Sequence, residues 1–310
     1  MRNVSPKIAI MKIRSISTSL IVVAAAIVSL YAVFWSEDRR IPSRLTIGVL
    51  PDQSSKELRS KYKPLVAYLE KETGLGVTLS IPQDYQHLQD LFARREIDLA
   101  YFGGLTFLRA KHQIGAIPLV MRGLDTRFTS YFVVSSSGPY GDCQTPACPK
   151  LKHGTFSFGS RLSTSGHLMP RHFLDQEWGK SPDRDFAEVV YSGSHDQTVF
   201  NVRDGLAAVG AVNAHIFRTM LADGRVAGDD LKVIWETPPY SDYVWALQND
   251  IDQPTIDRVR NAFLRLSHAN NQHSLVLEKL QARMFLPAST FEFEWLERIA
   301  VALGMIKDEQ

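Results

Sequence analysis

The sequence predicts an α/β fold of two lobes, and three observations carry that prediction. Short apolar runs alternate with stretches of helical period from residue 45 onward. The alternation stops after 122 and restarts at 130. Polar residues collect at the ends of the apolar runs, where open α/β sheets place their ligands. With 310 residues, 45% of them hydrophobic, the chain can bury the cores of two modest lobes.

The N-terminus comes first. No charge occurs between Arg14 and Glu37. At about 1.5 Å per residue the run 15–36 would span roughly 33 Å, the thickness of a bilayer core. Arg2, Lys7, Lys12 and Arg14 precede it, and Glu37 and Asp38 follow. That asymmetry favours a cytoplasmic N-terminus and export of the rest. Segment 1–42 is therefore expected to be a signal-anchor, with 16–35 in the inner membrane. A cleaved signal peptide and a buried helix are the alternatives.

"RLTIGVL" (44–50) reads as a buried strand. The helix after it carries Leu58, Tyr62, Leu65, Val66 and Leu69 on one face, with Gly74 as its stop. "VTLSIP" (77–82) is a second strand, and Asp84 caps a helix bearing Leu88, Leu91 and Phe92. "IDLAYFG" (97–103), the helix "LTFLRAKHQ" and "AIPLVMR" (116–122) complete the first series. Alternation of this kind predicts a largely parallel sheet with helices on both faces. "SYFVVSS" (130–136) then opens a second series. "TFSFGS" (155–160), "AEVVYSG" (187–193), a helix from about His195 and "AAVGAV" (207–212) continue it. "LKVIWETPPYSDYVWAL" (231–247) returns to strand, and the tail from Pro254 reads as helical.

Net charge is only +2, so no nucleic-acid stripe is expected. The two cysteines, Cys143 and Cys148, sit in the turn-rich "GDCQTPACPK". In an exported chain they can form a small-loop disulfide. Free thiols are the alternative, and a metal site lacks a nearby histidine. No cofactor and no metal is expected.

"FGSRLSTSGHLMP" (158–170) is the densest polar motif. Ser163, Thr164 and Ser165 stand between a strand and a helix, where the first N–H groups lack partners and attract negative charge. Three hydroxyls there make a donor-rich cradle for an oxyanion. A plain N-cap needs only one. The hydrolase elbow needs Gly-x-Ser-x-Gly, which "STSG" does not supply, so no catalytic residue is expected even with His195 and Asp242 available. Asp52, Gln53, Asp84, Tyr85 and Tyr101 add polar groups at other strand ends.

From 45 to about 245 the chain resembles the phosphate-, phosphite- and phosphonate-binding proteins of ABC transporters. "IGVLP", "YKPLVAYLEKETG", "DYQHLQDLFARREIDLAYFGG", "FGSRLSTSGHLMP", "SGSHDQTVFNVRDGLAAVGAV" and "VIWETPPYSDYVW" occur in the family's order and spacing. The resemblance implies a type II periplasmic binding fold, a Venus flytrap with its ligand cleft between the lobes. It places 43–130 plus 235–310 in the first lobe and 131–234 in the second. It implies phosphonate contacts from Ser163, Thr164 and Ser165, a phenol contact from Tyr85, and a cleft-lining Tyr131. His195 would face the ligand at a helix start, and Asp242 would accept a hydrogen bond from a P–OH group or pair with a ligand amine. Asn213 and His215 stand where relatives often carry an acid, which leaves the amine pairing open.

The expected function is delivery of a small phosphorus oxyanion to an inner-membrane ABC permease by a monomeric periplasmic protein. A membrane-anchored sensor of the same fold, and a binder of another small ligand, are the alternatives. The expected site is Tyr85, Tyr101, Tyr131, Ser163, Thr164, Ser165, His195 and Asp242.

Overall fold

The computed structural model describes residues 39–307. The apolar segment 15–36, read above as an anchor or signal, lies outside them. Among the described residues no helix is long and apolar enough to cross a membrane.

The first six strands are β1 (Arg44–Val49), β2 (Gly76–Ser80), β3 (Leu99–Phe102), β4 (Ile117–Arg122), β5 (Ser130–Ser135) and β6 (Thr155–Phe158). They are followed by β7 (Glu188–Tyr191), β8 (Val209–Asn213), β9 (Leu231–Glu236), β10 (Val244–Leu247) and β11 (Phe285–Pro287). Two sheets form, in the orders β11-β4-β10-β3-β1-β2 and β7-β6-β8-β5-β9. Both are mixed, which corrects the expectation of largely parallel sheets. In the first, β1, β2 and β3 run parallel while β10 is antiparallel to β3 and β4. In the second, β5 is antiparallel to β8 and β9. Strands that return after a crossing between sheets arrive from the opposite end, and no βαβ crossover constrains them to be parallel.

The stretch 231–247 is accordingly two strands, one in each sheet. Ser130, Trp235 and Glu236 all pair within the second sheet. Segments 128–129 and 237–243 cross between the sheets side by side. Phe128 N donates to Tyr240 O at 2.7 Å, and Tyr240 N donates to Phe128 O at 3.0 Å.

Helices cover the sheets where the apolar period requires it. α1 (Ser55–Thr73) starts at Ser54, whose hydroxyl accepts from Glu57 N, and stops at Gly74 with φ 70°. That left-handed conformation is cheap only without a Cβ. α2 (Tyr85–Ala93) is capped by Asp84, and α3 (Gly104–Ile114) follows Gly103, which offers no side-chain cap. α4 (Met169–Trp178), α5 (Pro182–Asp185) and α6 (His195–Arg203) belong to the second lobe. So does α7 (Ala214–Ala222), which the sequence reading missed although Asn213 caps it and Ile216, Phe217 and Met220 form its buried stripe. The tail holds α8 (Gln253–Leu264), α9 (Asn271–Lys279) and α10 (Glu294–Ala302). Its β11 was not expected, being only a three-residue edge.

Separate apolar cores lie under the two sheets. Cys143 and Cys148 are joined as a disulfide, with Cys143 packed in the second-lobe core.

Candidate functional site

The motif at 163–168 is a π-type turn, Thr164–Leu168, and α4 begins only at Met169. Wide turns of this kind re-aim side chains and amides locally. Its three hydroxyls do three different things. Ser163 Oγ is the cap, accepting from Gly166 N at 2.9 Å, and the Tyr85 phenol lies near the same side chain. Thr164 Oγ1 accepts from Leu105 N at 3.0 Å, which ties the turn to the start of α3 across the cleft. Ser165 Oγ stands 3.5 Å from His195 Nε2. Gly166 is needed for contact: a Cβ there would lie 2.8 Å from His195 Cε1 and 3.0 Å from Ser163 Oγ.

His195 is fully buried. Its Nδ1 accepts from the Asn213 backbone N–H at 3.2 Å. A backbone amide only donates, so the ring proton resides on Nε2 and points toward Ser165. Burial holds the His195 pKa down at about 4, so the ring is a neutral donor.

Asp242 arrives from the second crossing segment and is fully buried. Its Oδ1 accepts from Gly104 N at 3.0 Å. The Thr164 and Ser165 hydroxyls approach the carboxyl, yet Oδ2 has no hydrogen-bond partner of good geometry among the described residues. Burial pushes its pKa up to about 7, against the pull of the Gly104 amide and the two hydroxyls.

Around this centre lie further groups, of which the sequence reading passed over Ser130, Tyr240 and Tyr243. Ser130 Oγ donates to Ser165 O at 2.6 Å and shares a 2.5 Å hydrogen bond with Tyr240 OH. Tyr243 OH donates to Asp52 Oδ2 at 3.1 Å and accepts from Asn213 Nδ2 at 3.1 Å. Asn213 Oδ1 is spent capping α7 through His215 N and Ile216 N. The signal for Ser130 and Tyr240 was strand alternation at the crossing; without the register it could not be placed.

The structure thus brings Tyr85, Ser163, Thr164, Ser165, His195 and Asp242 together. Tyr101 is buried next to them, stacked on Tyr243 with ring centroids 5.1 Å apart. Tyr131 is not brought in. It points to the opposite face of β5 from Ser130, against Phe217, with its hydroxyl on Arg218. Asn213 and His215 supply a helix cap and a ring near Phe128, respectively. Arg161, the basic residue nearest the motif, lies over the Tyr191 ring at 3.7 Å. Arg122 is bound to Asp125 at 2.6 and 2.8 Å and to Leu280 O at 2.8 Å. The donors at the turn are therefore hydroxyls, amides and a neutral ring. Among the described residues no cluster of His, Cys, Asp or Glu could hold a metal ion.

Residues 47–293 match the family model described as ABC transporter, phosphonate, periplasmic substrate-binding protein. A probable ABC transporter phosphite-binding protein, PhnD1, of Prochlorococcus marinus is 29% identical over 284 residues, which is 90% of this chain and 96% of that one. The phosphate-import protein of Mycolicibacterium smegmatis is 25% identical over 234 residues, covering 72% of this chain and 71% of the relative. The solved structure of the Prochlorococcus protein in complex with methylphosphonate superposes with a TM-score of 0.79 at 29% identity, over 86% of this chain and 100% of that one.

Proposed function

The chain belongs to the periplasmic substrate-binding proteins of ABC phosphonate transporters, and from that premise we propose that its site takes one small phosphorus oxyanion in singly protonated form. The observation that carries the reading is the pairing of opposite functions at one point. Hydroxyls of the Ser163–Ser165 turn, the Tyr85 phenol and His195 Nε2–H donate; Asp242 Oδ2 can only accept, or donate when protonated. A bare dianion would meet an ionised carboxylate there. A ligand bearing one P–OH shares its proton with Asp242 and offers its other oxygens to the donors. Phosphate, phosphite and alkylphosphonates all fit that description. The relatives are named for phosphite and phosphate, and the similar solved structure holds methylphosphonate.

Binding without turnover is part of the proposal. Ser165 and His195 look like a nucleophile and its base, but the proton on Nε2 faces the serine, so the ring cannot receive another from it. Asp242 contacts Gly104, not the imidazole. In this reading the two lobes, joined by the crossings at 128–129 and 237–243, close on the ligand. The closed form meets an ABC permease of the inner membrane, and the apolar segment 15–36 directs the protein to the periplasmic side.

Calorimetric titration with phosphate, phosphite, methylphosphonate and 2-aminoethylphosphonate tests the assignment. Binding of at least one, competitive with the others and without hydrolysis, is expected. No heat from any of them removes phosphorus oxyanions as the ligand.

A further inference from the structure

One turn of the first lobe reaches the second without using the hydroxyl cluster. It is Asp52–Ser54, between β1 and α1. The Asp52 carbonyl accepts from His195 N at 3.1 Å. Its carboxyl oxygen Oδ2 accepts from Tyr243 OH, which in turn accepts from Asn213 Nδ2, both at 3.1 Å. Ser54 N donates to Asp196 Oδ2 at 3.1 Å. Farther along α1, Glu57 stands 3.5 Å from Arg225. Asp52, Ser54 and Glu57 follow a strand of the first sheet; His195, Asp196, Asn213 and Arg225 belong to the second lobe. These bonds cannot persist once the lobes separate.

Asp196 is placed to serve this contact. Its Oδ1 is engaged within its own helix start, accepting from Gln197 N at 2.9 Å and from the Ser194 hydroxyl at 2.5 Å. Oδ2 is left for the other lobe, and the residue is only 9% exposed. A hydrogen bond to a charged acceptor that exists only in the closed form shifts the open–closed equilibrium by its own free energy.

We propose that the Asp52–Ser54 turn is a clasp for the closed form, with Asp196 its positioning residue, and that it sets how long the ligand stays without touching the ligand. The proposal rests on the binding reading above for its ligand arm. Two substitutions break the Ser54–Asp196 bond from opposite sides. Ser54→Pro removes the N–H, and the native φ of −60° suits proline. Asp196→Asn keeps one acceptor for the helix start and puts an amide group where Oδ2 was. Ser54→Ala retains the N–H and serves as control.

Stopped-flow dissociation of methylphosphonate and of phosphate should accelerate roughly tenfold in either variant. Association should stay within about twofold, and the double variant should be no faster than either single one, since both cut the same bond. A second readout needs no ligand. Spin labels at Lys63→Cys and Asp229→Cys attach selectively because Cys143 and Cys148 are bonded to each other. Pulsed EPR should show a short-distance population that both variants deplete and Ser54→Ala keeps. Dissociation rates and populations within about twofold of the parent overturn the clasp, as does a parent distribution with no short-distance component. If the parent binds neither oxyanion, the site assignment fails while the distance readout still decides the clasp.

Discussion

Ser165 carries a hydroxyl that stands 3.5 Å from His195 Nε2 and beside the Asp242 carboxyl, while its carbonyl is held by Ser130. Ser165→Ala should weaken oxyanion binding by about 1.5–3 kcal/mol, or roughly ten- to a hundredfold, with little change in melting temperature. Gly166→Ala should do at least as much harm without removing a donor, because its Cβ would lie 2.8 Å from His195 Cε1. Equal affinity for Gly166→Ala and the parent protein, read by calorimetry, would mean that His195 does not serve the ligand. At this scale the sequence was informative wherever a residue's place follows from its own segment. Ser163 to Ser165, Tyr85 and His195 each sit at the start of a helix or turn, and starts are legible from caps. Tyr131 was misplaced because one step along a strand reverses the face, and Ser130 occupies the inward position. The amides of Gly104 and Leu105 escaped notice because backbone groups carry no residue-type signal.

Elements were legible to the extent that their apolar period and caps agreed. Ser54, Asp84 and Ser194 each accept from a backbone N–H two or three residues into their helices. The helix Ala214–Ala222 and the edge strand Phe285–Pro287 were passed over, and 231–247 was read as continuous. Nothing local in "TPPYSD" says that the chain changes sheets there; only the pairing of Phe128 with Tyr240 does. The loop closed by Cys143 and Cys148 is a local staple, with a sequence separation of 5. Loop-closure entropy for so short a ring is about 2 kcal/mol. Replacing both cysteines by serine should therefore lower the melting temperature by roughly 2–4 °C. The dissociation constant should remain within about twofold. A large loss of affinity would show that the loop takes part in ligand capture.

At the scale of the whole molecule, ligand binding and stability are both coupled to protons. The Asp242 pKa is raised from 3.8 to about 7 by burial. A carboxyl raised in this way favours the folded state when protonated. That contribution is complete below about 4 and is lost as pH rises through about 7, so the ligand-free protein should melt at lower temperature at pH 8 than at pH 6. A bound oxyanion carrying a proton relieves the same buried charge. Affinity should therefore fall as pH rises above about 7, and Asp242→Asn should flatten that limb of the profile. The parallel ordering of the sheets was the main global misreading, because it depends on which lobe each late strand rejoins.

The most direct test is the number of protons taken up on binding. Methylphosphonate is titrated into the protein at about pH 9 in buffers of different ionisation enthalpy. Protein and ligand are then both largely deprotonated, and the account predicts uptake of close to one proton per ligand bound. Tight binding with no proton uptake, or with release, would contradict the shared proton at Asp242.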